Sequence, residues 1–311
     1  MQTLHRAPFP PLLVLAIGIL IASTASIMIR YAQAEAPSLV IAAYRLTIAS
    51  LLLAPIAASR RREELAVLTR KELGLAVLSG LFLALHFATW ISSLKYTTVA
   101  SSAVLVATIP LWVALISPFT LKEPMNRLAK TGMLLALAGG FIVALSDTCV
   151  WSGIGLRCPS PSEFFNGRAF LGDLLALAGA LMGASYLLIG RSLRAKMSLL
   201  SYIFVVYSMA AVVLLMISLG AGLPAFGYSA QTYLWFILLA LGPQLLGHTS
   251  FNWSLRYVSA GYVSISLLGE SIGSTILAYL LLGEAPAVVK VFGAILILAG
   301  IYIASQSEKN A

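Results

Sequence analysis

The chain has 311 residues, of which 60% are hydrophobic and 10% are charged, and its formal net charge is +9. A soluble domain carries roughly 25% charged residues, so this composition excludes a protein whose whole surface faces water. An excess of basic residues is typical of the cytoplasmic loops of membrane proteins, and it therefore gives no support to nucleic-acid binding.

Ten apolar stretches are each long enough for a transmembrane helix, which needs about 20 mainly apolar residues. In chain order they cover residues 11–31, 37–58, 73–94, 98–119, 127–146, 169–189, 199–219, 232–254, 258–282 and 287–305. The segments between them are too short for a soluble domain. We therefore predict an all-α membrane protein with ten transmembrane helices.

The basic residues are distributed unequally between the two sides that these helices define. Fourteen of the twenty lysines and arginines fall on one side, five fall on the other, and Arg45 lies within the second helix. Because positively charged loops stay in the cytoplasm, both termini are predicted to be cytoplasmic. Short loops and a high apolar content favour a bacterial inner membrane.

Arg45 is the first polar residue of interest along the chain. It lies about eight residues from the outer end of its helix, roughly 12 Å deep at 1.5 Å per residue. Its forked guanidinium suits a substrate carboxylate. It can equally pair with an acidic side chain or with backbone carbonyls, or extend towards the membrane surface, and the sequence leaves these roles open.

The third and fourth helices contribute His86, Trp90, Ser102 and Thr108. Histidine titrates near neutral pH, so His86 can relay protons or bind substrate, or can simply join two helices as a neutral imidazole. Trp90 can stack on a substrate or pack against lipid and neighbouring helices. The two hydroxyl groups can face a cavity or bond their own backbone. We include all four among the predicted cavity residues.

The longest outer loop, between the fifth and sixth helices, contains Cys149 and Cys158. In an oxidising exterior these two residues can form a small disulfide, and the alternative is a pair of free thiols. No histidine lies nearby and the spacing matches no common metal site. We predict no metal centre.

The sixth and eighth helices add Tyr186, Gln244, His248 and Asn252 to the predicted cavity. The last three residues are spaced by four, so they share one face of a helix. Tyr186 can fence a substrate or serve only in packing. The preceding Gly242-Pro243 pair is expected to loosen the backbone ladder and kink the helix.

Glu270 lies near the middle of the ninth helix, whereas the other ten acidic residues fall at predicted helix ends or in loops. An ionised carboxylate in hydrocarbon is costly, so such a residue usually faces a polar cavity, a partner charge or a proton path. Tyr262, Ser266 and Ser274 share its helical face at intervals of four. The pattern predicts a cavity wall with a protonatable group, and the alternative is a structural hydrogen bond or ion pair.

An internal repeat relates the two parts of the chain at an offset of 161 residues. Residues 93–96 read Ser-Leu-Lys-Tyr and residues 254–257 read Ser-Leu-Arg-Tyr, and the register continues without a gap from 85–145 against 246–306. The repeat predicts two five-helix units of opposite orientation, because five is an odd number. The predicted divisions are a first repeat at 1–147, an outer loop at 148–168 and a second repeat at 169–311.

These features make the chain similar to the drug/metabolite transporter (DMT) superfamily, and in particular to its EamA type. The resemblance covers nearly the whole chain. It is carried by Pro37 and Arg45 and by an element that occurs in both halves. That element is Leu121-Lys122-Glu123-Pro124 with Gly132 and Ala138-Gly139-Gly140, and then Leu282-Gly283-Glu284 with Gly293 and Ala299-Gly300.

The resemblance implies an integral membrane protein that carries small metabolites such as amino acids, sugars or nucleotide sugars. We predict a secondary active transporter that works by alternating access and exports amino acids or related metabolites, with proton coupling through Glu270. No G-x-x-x-x-G-K-[ST] motif is present, so we expect neither a nucleotide nor another cofactor. The predicted partners are the bilayer, the substrate and, through peripheral fifth and tenth helices, a second copy of the chain.

Several alternatives stay open at this point. A facilitative carrier, uniporter or exchanger would leave Glu270 with a structural role. A channel or an intramembrane enzyme is more remote. The only two aspartates, Asp147 and Asp173, lie at outer helix ends, and no G-x-S-x-G motif occurs, so we predict that the protein is not an enzyme.

Overall fold

A computed structural model describes residues 7–120, 127–148, 150–152, 155–157 and 167–309. In chain order, its helices are α1 (Pro11–Ala22), α2 (Ala25–Ala32), α3 (Ser38–Arg60), α4 (Arg62–Ala66), α5 (Arg70–Ser93), α6 (Val99–Val106), α7 (Ile109–Thr120), α8 (Arg127–Thr148), α9 (Arg168–Arg194), α10 (Leu199–Gly220), α11 (Ala230–Leu239), a π-helical segment (Ala240–His248), α12 (Thr249–Ser254), α13 (Ala260–Ser266), α14 (Leu268–Leu282) and α15 (Val288–Lys309).

Eight helical spans of the described chain are long and apolar enough to cross a membrane, by length and composition. They are Pro11–Ala32, Ser38–Arg60, Arg70–Ser93, Val99–Ile116, Arg168–Arg194, Leu199–Gly220, Ala230–Ser254 and Ala260–Leu282. The remaining two predicted spans correspond to α8 and α15, whose apolar stretches are shorter, at Lys130–Val143 and Val288–Gly300. The helical membrane protein is confirmed, and ten crossings remain a prediction.

One short sheet accompanies the helices. Strands β1 (Val150–Ser152) and β2 (Gly155–Arg157) form an antiparallel hairpin in which Trp151 lies opposite Leu156. This hairpin was not part of the all-α prediction, because three-residue strands in a polar loop have too little periodicity to be recognised. The predicted disulfide residues, Cys149 and Cys158, lie outside the described residues.

Hydroxyl side chains define where several helices begin. Thr98 and Ser259 precede α6 and α13, and each accepts a hydrogen bond from a backbone N–H in the first turn. Ser198 and Ser229 do the same for α10 and α11. Such N-caps satisfy backbone donors that have no partner within the helix. Thr98 and Ser259 are separated by the repeat offset of 161 residues, so equivalent helices of the two repeats begin with a hydroxyl N-cap.

Four of the membrane spans are interrupted. The breaks separate α1 from α2, α6 from α7, α11 from α12, and α13 from α14. At the first two, Thr24 and Thr108 donate to backbone carbonyls three residues earlier. In the third, Pro243 lies inside the π-helical segment. Proline has no N–H to donate, so it removes one backbone hydrogen bond of a regular helix. The irregularity predicted at Gly242-Pro243 is therefore present.

The last break corrects one prediction about the ninth span. Tyr262, Ser266, Glu270 and Ser274 were expected to form one continuous polar face. Leu267 instead ends α13 and α14 begins at the next residue, so the two halves of this stripe belong to different helices. Hydrophobic periodicity gives no signal for a break of this kind, because both helices remain apolar on either side of it.

Helices α8 and α15 pack against each other in antiparallel directions through glycines. A Cβ atom built on Gly139 would lie 2.6 Å from the carbonyl oxygen of Gly293, and one built on Gly300 would lie 2.5 Å from that of Gly132. Gly132 and Gly139 correspond to Gly293 and Gly300 in the repeat. Gly139 therefore packs against the repeat counterpart of Gly132, and Gly132 packs against the repeat counterpart of Gly139. This reciprocal contact is the pattern of a local two-fold axis.

We expect that replacing Gly139 by alanine lowers stability by about 1–3 kcal/mol, because the added methyl group meets backbone atoms that have no side-chain freedom to move. Gly74→Ala is the matched control. Gly74 lies on α5 with nothing within 4 Å of its virtual Cβ, so this substitution should leave stability unchanged or raise it slightly. Thermal unfolding of both purified variants tests the expectation, and equal melting temperatures would contradict it.

Candidate functional site

A small cavity of about 40 Å³ lies where seven elements meet, namely α2, α5, α6, α7, the π-helical segment, α12 and α14. Its polar lining consists of Ser26, His86, Trp90, His248, Glu270, Ser271 and Ser274. A cavity of this size has room for about two or three water molecules. The lining comes from residues 26–109 and 248–274, so distant parts of the chain form it together.

Glu270 is the acidic residue of this lining. It is half-buried and lies in the first turn of α14, directly after the break at Leu267. The positive end of the α14 dipole favours a negative charge at this position. Within the described part of the chain, its carboxylate has no hydrogen-bond partner and no ion pair within 4.0 Å. The carboxylate is therefore available to a ligand or a proton.

His86 is held in one orientation by a neighbouring helix. Its Nδ1 lies 2.8 Å from the carbonyl oxygen of Gly179 on α9. A Cβ built on Gly183 would lie 3.0 Å from the same nitrogen, so both glycines let α9 approach the ring. Since a carbonyl oxygen only accepts, Nδ1 carries the proton and a neutral His86 keeps Nε2 as an acceptor. The Trp90 ring stacks on the imidazole at a centroid distance of 5.9 Å.

His248 reaches the same cavity from the π-helical segment. Its ring centroid lies 6.4 Å from that of His86 and 5.1 Å from that of Phe87. Its Nδ1 is buried and has no hydrogen-bond partner in the described structure. The sequence predicted both histidines as cavity residues, and the structure places both in the lining of this cavity.

Arg45 is fully buried but does not line the cavity. Its Nε donates to Gln244 Oε1 at 2.8 Å, and its guanidinium carbon lies 4.2 Å from the centre of the Phe87 ring. Its two terminal nitrogens have no partner among the described residues. The charges of Arg45 and Glu270 act on each other, although the two side chains form no ion pair within 4.0 Å.

Eight of the predicted cavity residues do not line this cavity: Arg45, Ser102, Thr108, Tyr186, Gln244, Asn252, Tyr262 and Ser266. Most of them satisfy their polar groups elsewhere. Ser102 bonds Ser93, and Tyr186 donates to Asn252 at 2.7 Å. Thr108 and Ser266 donate to carbonyls of their own helical turns. Local backbone acceptors compete with a cavity for every hydroxyl, which explains why these hydroxyl groups bond elsewhere in this structure.

Two polar lining residues, Ser26 and Ser271, were absent from the predicted set. Ser271 donates to the carbonyl of Ala103 at 2.8 Å, which joins α14 to α6. Its position next to Glu270 was the only signal in the sequence. Neighbouring residues of a helix point about 100° apart, so the shared-face pattern that selected Ser266 and Ser274 left Ser271 out.

A polar cluster joins the end of α14 to α2 and α6. Glu284, just after α14, accepts from Arg30 of α2 at 2.7 Å and from the backbone N–H of Val99 on α6 at 2.9 Å. The side chains of Arg30 and Glu284 are 26% and 23% exposed. We call these three residues the Glu284 cluster. It connects three of the elements that line the cavity.

A second set of polar contacts lies at the opposite end. Arg191 donates to the carbonyl of Leu255 at 2.5 Å, and Arg194 donates to that of Asn252 at 3.1 Å. Leu255 precedes the span Ala260–Leu282 and Glu284 follows it. Because 23 helical residues extend about 35 Å, these contacts and the Glu284 cluster are separated by the thickness of a bilayer core.

Comparisons with known proteins agree with this architecture. The sequence model of the EamA-like transporter family matches residues 10–145 and again residues 170–306. An uncharacterised transporter of Clostridium kluyveri is 23% identical over 85% of this chain and 82% of its own length. One from Archaeoglobus fulgidus is 22% identical over 95% and 97%.

A protein of known crystal structure shares the fold, with a TM-score of 0.65 at 19% sequence identity, over 96% of this chain and 98% of the other. The two family matches together cover most of the sequence and all of the cavity lining. The apolar helical spans agree with a multi-pass protein. The chain therefore belongs to the EamA-like transporter family and is an integral membrane transporter.

Proposed function

We propose that this transporter is a secondary active carrier that exports amino acids or related small metabolites by alternating access, with Glu270 as the proton-coupling group. The observation that carries the proposal is the Glu270 carboxylate, which faces a cavity between the two family-matched segments and forms no ion pair within 4.0 Å among the described residues. A carboxylate within a membrane-spanning segment costs free energy, and such residues usually exchange protons or bind a ligand.

The two-fold contact between α8 and α15 supports ten crossings in two inverted five-helix units. An inverted pair places a substrate site near the midplane between its halves, where the Glu270 cavity lies between two sets of closing contacts. The charge bias of the loops puts both termini in the cytoplasm and the Glu284 cluster on the outer side. In this arrangement the Glu284 cluster and the contacts of Arg191 and Arg194 lie on opposite sides of the membrane core, where each can control access from one side.

Exchange measurements test alternating access directly. Liposomes that contain the purified protein are loaded with one labelled amino acid. The efflux of the label is followed with and without unlabelled substrate outside. A carrier that reorients faster when loaded gives efflux accelerated by external substrate, and the flux saturates. Efflux that increases linearly with concentration and ignores the external substrate would identify a channel and end the proposal.

Glu284 is expected to hold the outer end closed. Replacing it by glutamine removes the ion pair with Arg30, and a partly exposed ion pair contributes about 0.2–1 kcal/mol. External accessibility of the cavity should therefore rise roughly 1.5- to 5-fold. The measurement is the rate at which a membrane-impermeant thiol reagent labels Ser26→Cys from outside, with Cys149 and Cys158 replaced by serine.

Glu63→Gln serves as the control for this experiment, since Glu63 is an exposed residue of α4. It removes the same charge far from the Glu284 cluster and should leave the labelling rate unchanged. Equal rates in the Glu284→Gln and parent proteins would show that the cluster does not control access.

A further inference from the structure

The direction of the hydrogen bonds around the cavity carries information about its ligand. Three lining groups have their hydrogens committed to backbone carbonyls: His86 Nδ1 to Gly179, Ser271 to Ala103 at 2.8 Å, and Ser274 to Ser23 at 3.0 Å. Each hydroxyl has one hydrogen and two lone pairs. These groups can therefore offer only acceptors to a ligand.

The carboxylate of Glu270 also offers hydrogen-bond acceptors to a ligand. The Glu270 carboxylate is acceptor-only when ionised, and it faces the same space as His86 Nε2 and the lone pairs of Ser271 and Ser274. Donors are fewer and neutral: the indole N–H of Trp90, which has no partner in the described structure, the hydroxyl of Ser26, and one nitrogen of a neutral His248. The cavity is thus rich in hydrogen-bond acceptors and contains one carboxyl group.

From this arrangement we propose that the cavity binds a primary ammonium group, so that the transported substrates are amines, including amino acids recognised by their amino end. An ammonium offers three donors and no acceptor, which complements the acceptors of Glu270, His86 and the two serines. The face of Trp90 adds a favourable surface for a cation. A cavity of about 40 Å³ has room for about two or three water-sized groups, which is enough for such a head group.

Arg45 is the charge that opposes this assignment. It lies behind the ring of Phe87 and donates to Gln244, outside the cavity lining. Glu270 lines the cavity itself, whereas the guanidinium of Arg45 is held away from the lining by Phe87 and Gln244. The apolar lining, which includes Ile109, Phe251 and Leu267, favours an organic cation, and the described residues contain no group of three or more His, Cys, Asp or Glu side chains that could hold a metal ion.

This inference rests on the proposed function, because it assigns the ligand of the same cavity. Its test uses two matched sets of compounds with the full-length protein in detergent. One set is phenethylamine, phenylalanine and 3-phenylpropanoate, and the other is isopentylamine, leucine and 4-methylpentanoate. Equilibrium binding at neutral pH should be at least tenfold tighter for the members of each set that carry an amino group than for the acid that lacks one.

Two variants assign the binding to the named groups. Glu270→Gln keeps the shape and removes the charge, and should weaken amine binding at least tenfold. His86→Asn keeps a donor to Gly179 through its amide and removes the Nε2 acceptor, and should weaken binding about three- to tenfold. Glu63→Gln should leave binding unchanged, and retained melting temperatures establish that the variants are folded.

The proposal is overturned if the acids bind as tightly as the amines, if no amine of either set binds, if sodium chloride displaces the amines at matched concentration, or if binding survives unchanged in Glu270→Gln. Exchange across the membrane is a separate readout. Amine binding with the expected pattern but without accelerated exchange would reject the alternating-access proposal alone. Accelerated exchange of compounds that lack an amino group would reject the ammonium assignment alone.

Discussion

Replacing Glu270 by glutamine is expected to abolish accumulation of substrate against its gradient when a pH difference is imposed, while exchange of substrate for substrate continues. Glutamine keeps the size of the side chain and its acceptor oxygen but cannot carry the proton. If one proton moves for each substrate, one pH unit supports about a tenfold concentration ratio, and this ratio should fall to one in the variant.

The measurement is uptake of labelled substrate into proteoliposomes with and without the pH gradient, followed by counterflow at equal pH on both sides. Ser266→Ala is a suitable control, since Ser266 lies near the same break but bonds the carbonyl of Tyr262 and does not line the cavity. Equal, pH-independent flux in the native and Glu270→Gln proteins would assign Glu270 a structural role and leave a facilitative carrier.

Removal of Arg45 is expected to destabilise the protein, and removal of Glu270 in the same molecule is expected to restore part of the loss. Arg45→Met deletes a fully buried charge and its bond to Gln244, and it leaves the Glu270 carboxylate without the nearby cation. A directly bonded buried pair loses about 3–5 kcal/mol when one partner is removed. The loss here should be smaller, because no direct bond joins Arg45 to Glu270.

A double-mutant cycle separates these contributions. Unfolding is measured for the parent, Arg45→Met, Glu270→Gln and the double variant, and the interaction energy should lie within about 0.5–3 kcal/mol, with the sign of an attraction. Strict additivity of the two single effects would show that the charges do not act on each other. Arg45 would then serve only to hold Gln244 and the π-helical segment in place.

The sequence was sufficient for the class of protein and for its most unusual residue. The length of a continuous apolar stretch predicts a membrane helix, because the thickness of the bilayer sets the number of residues that cross it. The offset of 161 residues predicted equivalent helices, and the reciprocal contacts of Gly132 and Gly139 agree with it. Glu270 was recognisable because it is a carboxylate in a stretch of mainly apolar residues.

The sequence was less informative about which polar residues surround Glu270. Serine and threonine in helices can bond a carbonyl three or four residues earlier, and Thr108 and Ser266 do so. Arg45 was a reasonable candidate by depth, yet the Phe87 ring lies against its guanidinium, which is outside the cavity lining. These outcomes depend on neighbours that are distant in sequence, so a pattern along one helix does not reveal them.

The sequence by itself therefore determined the membrane class, the family, the repeat and the acidic residue, since each depends on composition or on spacing along the chain. Tertiary structure decided the lining of the cavity, the proton on His86 Nδ1, the interrupted stripe at Leu267 and the contacts of Glu284 with Arg30 and Val99. The physical reason is that a hydrogen bond or a cavity wall needs two or more groups at fixed distances, and only the packing of helices against one another sets those distances.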